Sequence, residues 1–274
     1  MKIIQKAISF LIIFLQLFAS CKQDNATLYK KNAIRDFKKG NYLQTINWVN
    51  KMSEYKKLNY EELSIRGISY NNLQMYKQAE NDFKNCLSLK QNDQFILKNL
   101  AMCYLAEFKQ DSALYVFNII LKNDKSDVEA INGRGVCFLR KNELTLAMHD
   151  FQLAIKINPD FYESYNNIGQ VCEKTGSYRI AIRNYTLSIS KNKLDDKVFF
   201  NRGVSYMYIN KPDSALADYD QAINLKSNND LYYLNRGMAK YLLKQFKEAC
   251  IDWTKAEGMN NKEARNYLIQ YCSK

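Results

Sequence analysis

The sequence is poor in three residue types on which many sites and linkers depend. Histidine occurs once, at His149, proline occurs twice, and glycine occurs nine times in 274 residues. A single histidine excludes a metal site built from several imidazoles and argues against a Ser-His-Asp type of catalytic site. The scarcity of proline and glycine excludes a collagen-like segment and a Pro/Gly-rich linker.

The abundant residues indicate a folded and basic protein. Hydrophobic residues make up 47% of the chain and aromatic residues 13%, which excludes a disordered chain. Lysine and arginine number 40 against 28 aspartate and glutamate, so the formal net charge is +12. Nucleic acid, an anionic membrane or composition alone would each account for this surplus.

The N-terminus has the features of an export signal. A start with two lysines is followed by an apolar run over residues 7–19, which is too short to cross a bilayer. Residues 17–21 read LFASC, which resembles the lipobox of bacterial lipoproteins. The resemblance implies that residues 1–20 are removed and that Cys21 carries the lipid. The alternative is an ordinary signal peptide followed by a chance cysteine.

The rest of the chain repeats with a period of 34 residues. A small residue recurs at Gly67, Ala101, Gly135, Gly169, Gly203 and Gly237. An alanine recurs at Ala79, Ala113, Ala147, Ala181, Ala215 and Ala249. An aromatic residue recurs at Phe83, Phe117, Phe151, Tyr185, Tyr219 and Trp253. One step back reaches Ala33, so seven repeats start at residues 26, 60, 94, 128, 162, 196 and 230.

Each repeat is predicted to be a pair of antiparallel helices. Leu63, Gly67 and Tyr70 share one helical face, and the spacing from Ala79 to Phe83 gives a second helix. The small eighth residue lets the second helix approach closely. We refer below to the first and second helix of each repeat.

This pattern resembles the tetratricopeptide repeat over residues 26–263. The resemblance implies an all-α fold, a right-handed superhelical solenoid of about seven helix-turn-helix repeats. The first repeat matches least well, with Thr45 and Val49 where an alanine and an aromatic residue are expected. Because stacked repeats bury their apolar faces against neighbours, residues 264–274 are predicted to form a capping helix. Residues 21–25 would then be the lipidated cysteine and a short tether.

Six cysteines follow the presumed lipidation site: Cys86, Cys103, Cys137, Cys172, Cys250 and Cys272. Five occupy repeat positions that otherwise hold small or apolar core residues, which favours buried free thiols. Export would place them in an oxidising compartment, where a disulfide can form. Cys137 and Cys172 lie at adjacent positions of successive repeats and are the first candidates for a pair.

The candidate binding site is the sixth position of the repeat, where asparagine recurs at Asn99, Asn167, Asn201 and Asn235. In the repeat family this position faces the concave surface, and asparagine there resembles the series that grips an extended peptide by its backbone. An amide both donates and accepts hydrogen bonds, so it can read any peptide group. Asn166 and Gln170 would widen this polar patch. The alternative is that these amides merely solvate a helix or follow a general asparagine bias.

The basic surplus is concentrated next to the presumed lipid. Residues 22–59 contain nine basic and three acidic residues, a net charge of +6. Near an anionic surface each basic residue contributes about 1 kcal/mol. We therefore predict a membrane-facing patch of Lys30, Lys31, Lys38 and Lys39. The alternative is that these lysines form an ordinary solvated face.

Together these features predict a membrane-anchored protein-binding scaffold of the bacterial cell envelope, with proteins or extended peptides as partners. The alternative is a regulator or assembly factor for a cell-wall or outer-membrane machine, acting through the convex face. An enzyme is not expected, because the repeats occupy residues 26–263 and leave no catalytic domain. No cofactor, metal, nucleic acid or small-molecule substrate is expected. Lys22, where the lipoprotein sorting rule would place an aspartate for inner-membrane retention, favours the outer membrane.

Overall fold

The computed structural model describes residues 24–272, and every regular element in that range is helical. The all-α prediction is thereby confirmed. The proposed signal peptide and Cys21 lie outside the described residues. The helices pack into two units, of which residues 24–125 belong to the first and residues 126–272 to the second.

The first unit contains six helices: α1 (24–38), α2 (Tyr42–Ser53), α3 (Tyr60–Asn72), α4 (Tyr76–Leu89), α5 (Gln94–Ala106) and α6 (Gln110–Asn123). The helix α1 already includes residues 24 and 25, which the sequence assigns to the tether.

The second unit contains α7 (Val128–Arg140), α8 (Leu144–Ile157), α9 (Tyr162–Lys174), α10 (Tyr178–Lys191), α11 (Asp196–Tyr208), α12 (Pro212–Leu225), α13 (Asp230–Leu242), α14 (Phe246–Glu257) and α15 (Lys262–Tyr267). A π-helical turn, Leu268–Cys272, follows α15. Consecutive helices pack against one another, and each first helix of this unit also contacts the first helix of the next repeat.

Local sequence signals set where the first helices begin. From α3 onward they start at residues 60, 94, 128, 162, 196 and 230, in the register of the sequence repeat. In five of these six helices, an asparagine or aspartate at the N-cap accepts a hydrogen bond from the first turn: Asn59, Asp93, Asp127, Asp195 and Asn229. Such a cap satisfies a backbone N–H that has no partner within the helix.

The turn inside each repeat uses a left-handed residue at its fifteenth position. The seven residues are Gly40, Gln74, Phe108, Asn142, Gly176, Asn210 and Lys244, with φ between 56° and 74°. Glycine and asparagine adopt this conformation readily, whereas other residues incur a cost of about 1–2 kcal/mol. The shared geometry keeps the helix pairing the same even where the preferred residue is missing.

The core of each repeat forms where the small eighth residue meets the aromatic of the second helix. The repeated aromatic residues are at most 2% exposed, and the repeated alanines are fully buried. A Cβ atom added to Gly135 would lie 2.6 Å from Phe151 Cε1, so the ring packs directly on the glycine backbone. In the first repeat Ala33 faces the smaller Val49, and both are fully buried.

The C-terminal cap packs on the last repeat through aromatic side chains. Trp253 lies 5.2 Å from Tyr267 and 5.8 Å from Tyr271, measured between ring centroids. Its indole N–H donates to the Leu234 carbonyl at 3.2 Å. Helix α15 and the π-helical turn therefore cover the apolar edge of α14.

The prediction for the cysteines is wrong in one respect. Cys250 and Cys272 form a disulfide that ties α14 to the π-helical turn. The predicted pair, Cys137 and Cys172, forms no disulfide, and both thiols are buried, as are those of Cys86 and Cys103. Burial raises the pKa of Cys86 and Cys103 to about 12, so both remain protonated at neutral pH. Cys272 was missed as a partner because the position of the cap against α14 does not follow from the repeat period.

No helix within residues 24–272 has the length and apolarity needed to cross a bilayer.

Candidate functional site

Five of the six predicted groove residues lie in the second unit, and four of these join Asn132 in two hydrogen-bonded groups of side-chain amides. Asn167 Nδ2 donates to Asn132 Oδ1 at 2.9 Å, and Gln170 Nε2 lies 3.4 Å from Asn167 Oδ1. Asn201 Nδ2 lies 3.4 Å from Asn166 Oδ1. These contacts run along the adjoining first helices α7, α9 and α11. We call Asn132, Asn166, Asn167, Gln170 and Asn201 the amide cluster.

The opposite face of α9 explains why Asn166 and Gln170 point away from the core. Ile168, Val171 and Cys172 are 3–6% exposed and belong to the hydrophobic core. Asn166 and Gln170 are half-buried on the other side of the helix, whereas Asn167 is only 8% exposed. Asn167 therefore positions its neighbours, and Asn166, Gln170 and Asn201 remain within reach of a ligand.

The two remaining predicted residues do not join the amide cluster. Asn99 belongs to the first unit, where its Nδ2 donates to the Phe95 carbonyl one turn earlier in α5. Asn235 Nδ2 donates to the Leu231 carbonyl of its own helix in the same way. The sequence period places both at the sixth position but does not specify which neighbour each amide meets.

Asn132 belongs to the amide cluster but is not among the groove residues predicted from the sequence. Its Oδ1 accepts from both Asn167 Nδ2 and Ser164 Oγ, each at 2.9 Å. Asn132 lies 34 residues before Asn166, so a comparison of the fifth repeat position would have found it.

A carboxylate lies one turn beyond the amide cluster on α9. Glu173 Oε1 accepts from Ser205 Oγ of α11 at 2.5 Å. Burial raises the pKa of Glu173, and the hydrogen bond from the Ser205 hydroxyl opposes that shift. This contact joins the same two first helices as the Asn166–Asn201 pair and fixes their spacing.

The predicted basic patch is on α1 and the turn after it. Lys31, Lys38 and Lys39 are exposed. Lys30 is half-buried, and its Nζ lies 2.6 Å from Glu61 Oε2 of α3. Three of the four lysines therefore present their charge to solvent, and the fourth is paired within the unit.

A series of buried ion pairs was not foreseen. An arginine of the first helix binds an aspartate of the second helix through two hydrogen bonds in the pairs Arg66–Asp82, Arg134–Asp150, Arg202–Asp218 and Arg236–Asp252. The aspartate side chains are only 1–6% exposed. The signal in the sequence is a spacing of 16 residues within each pair and multiples of 34 between pairs.

Within residues 24–272 no three histidine, cysteine, aspartate or glutamate side chains lie close enough together to hold a metal ion.

Comparison with known proteins agrees with this architecture. Residues 196–229, the sixth repeat, match the sequence model of the tetratricopeptide repeat. No curated protein matches the chain by sequence.

Solved structures resemble the fold of this chain over most of its length. A tetratricopeptide repeat protein from Parabacteroides merdae has a TM-score of 0.71 at 21% identity, with 90% of this chain and 98% of that chain covered. The pilF protein of Pseudomonas aeruginosa has a TM-score of 0.66 at 14% identity, covering 77% and 97%. YrrB, described as a TPR protein with an unusual peptide-binding site, has a TM-score of 0.52 at 17% identity, covering 69% and 97%. The fold is therefore that of a tetratricopeptide-repeat protein.

Proposed function

We propose that this protein is a lipid-anchored scaffold of the bacterial cell envelope that binds a partner protein or peptide through its amide cluster. The observation that carries the proposal is the two hydrogen-bonded groups of amides on the adjoining helices α7, α9 and α11. Amide side chains pair with backbone N–H and C=O groups whatever the ligand sequence, which suits recognition of an extended segment. The shared fold of YrrB, to which a peptide-binding site is ascribed, is consistent with this role.

Two further features support the envelope location. The lipobox-like residues 17–21 would place a lipid on Cys21. The disulfide between Cys250 and Cys272 suits an oxidising compartment, because cytosolic thiols are kept reduced. Lys22 after the cysteine favours the outer membrane.

In this proposal, the exposed lysines on α1 and on the turn after it orient one side of the repeats toward the membrane. Lys31, Lys38 and Lys39 follow the presumed anchor by fewer than twenty residues, and Leu28 on the same helix is 52% exposed. Acyl chains on Cys21 would hold these residues near the headgroups, where each lysine contributes about 1 kcal/mol.

Alanine at Asn166, Gln170 and Asn201 is expected to abolish partner capture. Each substitution removes an amide that the ligand would otherwise pair with, at about 1 kcal/mol per hydrogen bond, so together they weaken binding by about a hundredfold. The measurement is quantitative cross-linking in intact cells followed by mass spectrometry of the adducts. Asn184→Ala is the matched control, since Asn184 is half-buried on α10 and bonds only its own helix. Unchanged adducts in the triple variant would show that another surface binds the partner.

Cys21→Ala is expected to release the protein from the membrane fraction and to remove a metabolic palmitate label. A diacyl or triacyl anchor holds a protein stably, whereas three lysines alone give reversible binding. Fractionation of cell envelopes with labelled palmitate measures both effects, with Cys86→Ala as a control at a buried thiol. Persistent membrane association without label in the wild type would contradict lipidation.

A further inference from the structure

Glu173 is a half-buried carboxylate that has no cation beside it. The seven buried carboxylates of the described residues each lie 2.5–3.1 Å from a lysine or arginine nitrogen: Asp36, Glu62, Asp82, Asp93, Asp150, Asp218 and Asp252. Glu173 instead accepts from the neutral hydroxyl of Ser205, and within residues 24–272 no lysine or arginine pairs with it. Even the adjacent Lys174 is exposed and makes no ion pair with it. Because a charge withdrawn from water without a counter-ion is costly, a cation brought by a ligand would be stabilised at this carboxylate.

Two buried tyrosine hydroxyls in the field of Glu173 are also unsatisfied. Tyr185 of α10 and Tyr219 of α12 are fully buried, and within residues 24–272 neither hydroxyl has a hydrogen-bond partner. Burial raises the pKa of both phenols, and the negative charge of Glu173 adds to the rise, together with that of Asp218 at Tyr219. Buried hydroxyls in proteins are nearly always hydrogen-bonded. Glu173, Tyr185 and Tyr219 therefore form a polar site with one negative charge and unused hydrogen-bonding capacity.

This site lies next to the amide cluster. Glu173 follows Gln170 by three residues on α9, and its partner Ser205 follows Asn201 by four residues on α11. At 1.5 Å per residue the carboxylate is therefore about 6 Å beyond the amides along the helices, a distance that an extended peptide spans in about two residues. The side chains of the amide cluster are uncharged, so Glu173 determines the sign of the charge that is favoured at this end of it.

We propose that Glu173 binds the side-chain ammonium of a lysine in the peptide segment that the amide cluster holds. The inference rests on the proposed function and names a chemical feature of that partner. Ser205 already bonds Glu173 Oε1, which leaves Oε2 for the ligand and suits a compact ammonium better than a bidentate guanidinium. An ammonium has three N–H donors, which match the carboxylate and the two phenol oxygens of Tyr185 and Tyr219. The four-carbon stem of lysine lets its charge enter a half-buried site while the peptide backbone stays on the amides.

The test uses a pool of peptides of about nine residues, about 30 Å when extended, with both ends blocked by acetylation and amidation. The central residue is lysine, and the other positions are drawn at random from alanine, serine, threonine and valine. A matched pool has the uncharged norleucine at the centre. Binding to the full chain in nanodiscs is measured by fluorescence anisotropy. The lysine pool is expected to bind at least about tenfold more tightly than the norleucine pool at low salt, with the difference decreasing as salt is raised.

The decisive variant is Glu173→Gln, which removes the charge but keeps an oxygen that can accept from Ser205 Oγ. It is expected to weaken binding of the lysine pool at least about tenfold and to leave binding of the norleucine pool unchanged. Glu163→Gln is the matched control, since Glu163 is a half-buried carboxylate in the first turn of the same helix, about 15 Å from Glu173 along its axis. The control should keep the preference for lysine, and thermal unfolding verifies that both variants are folded.

Several outcomes would overturn the proposal. These are binding of neither pool, equal binding of both by the wild type, and an undiminished lysine preference in folded Glu173→Gln. A third pool, with a free N-terminal amine and central norleucine, would assign the site to a chain terminus if it bound as tightly as the lysine pool. The triple alanine variant at Asn166, Gln170 and Asn201 should weaken both pools equally. If that variant loses its partner adducts in cells while the wild type binds both pools equally, the lysine site is wrong and the proposed function stands.

Discussion

Gly135→Ala is expected to destabilise the second unit by about 2 kcal/mol, although alanine is the better helix former. An exposed glycine inside a helix gains about 1 kcal/mol on replacement by alanine. At Gly135 the new Cβ atom would lie 2.6 Å from Phe151 Cε1 and 2.9 Å from Cδ1. Phe151 is fully buried, so its ring cannot move away without displacing the core. Overpacking of this kind costs about 1–3 kcal/mol, and the measurement is urea unfolding followed by circular dichroism.

Gly258→Ala is the control for this variant. The nearest atoms to an added Cβ there are 3.5 Å away, an ordinary contact, and φ is −60°. We expect no loss of stability at Gly258. A gain in stability at Gly135, as helix propensity alone would give, would contradict the close packing that we describe.

The first repeat suggests a second substitution that should offset the cost of Gly135→Ala. It pairs Ala33 with Val49 where repeat 4 pairs Gly135 with Phe151. Adding Phe151→Val to Gly135→Ala should therefore cost less than the sum of the two single changes, by about 1 kcal/mol or more. If the double variant costs as much as the two single changes added together, Gly135 and the Phe151 ring do not interact.

The repeat period predicts the fold well because one structural unit recurs seven times. Three residue series fixed the register, and the first helices from α3 onward begin at the predicted residues. Each position in the period has the same neighbours inside its own repeat. The close approach of the two helices at the small eighth residue could therefore be predicted from spacing alone, but the contact of Phe151 with Gly135 is seen only in the structure.

Contacts that break the period could not be predicted in this way. The disulfide depends on how the cap folds back on α14, and Cys272 has no equivalent in the repeats. The amide cluster depends on cross-repeat partners, which differ between Asn201, bonded to Asn166, and Asn235, bonded to its own helix. The apolar residues Leu100 and Val116 of repeat 3 occupy positions whose role was visible only once the arginine–aspartate pairs were seen.

Asp218→Val is expected to lower the free energy of unfolding by about 3 kcal/mol. Asp218 receives two hydrogen bonds from Arg202, at 2.8 Å from Nε and 2.7 Å from Nη2. The two side chains are 6% and 17% exposed, so removal of the carboxylate leaves a largely buried guanidinium without its counter-ion. Breaking one partner of a buried pair costs about 3–5 kcal/mol, and the remaining bond to Thr186 Oγ1 offsets a part of it.

The double variant Arg202→Leu with Asp218→Val is expected to recover most of that loss, to within about 1 kcal/mol of the wild type. Burial raises the pKa of Asp218 even though Arg202 acts to lower it, whereas bonding to Asp218 raises the pKa of Arg202 against its own burial, so desolvation and attraction oppose each other in this pair. Repeat 3 already contains the apolar version, because Leu100 and Val116 occupy these positions and are 4% exposed. An apolar pair of similar volume is therefore compatible with the repeat.

Urea unfolding of the wild type, the two single variants and the double variant gives the coupling between the two residues. Asp160→Val is the control for an exposed pair, since Asp160 binds Lys191 with side chains 80% and 35% exposed, and it should leave stability unchanged. A double variant as unstable as Asp218→Val would mean that the charged pair itself stabilises the repeat.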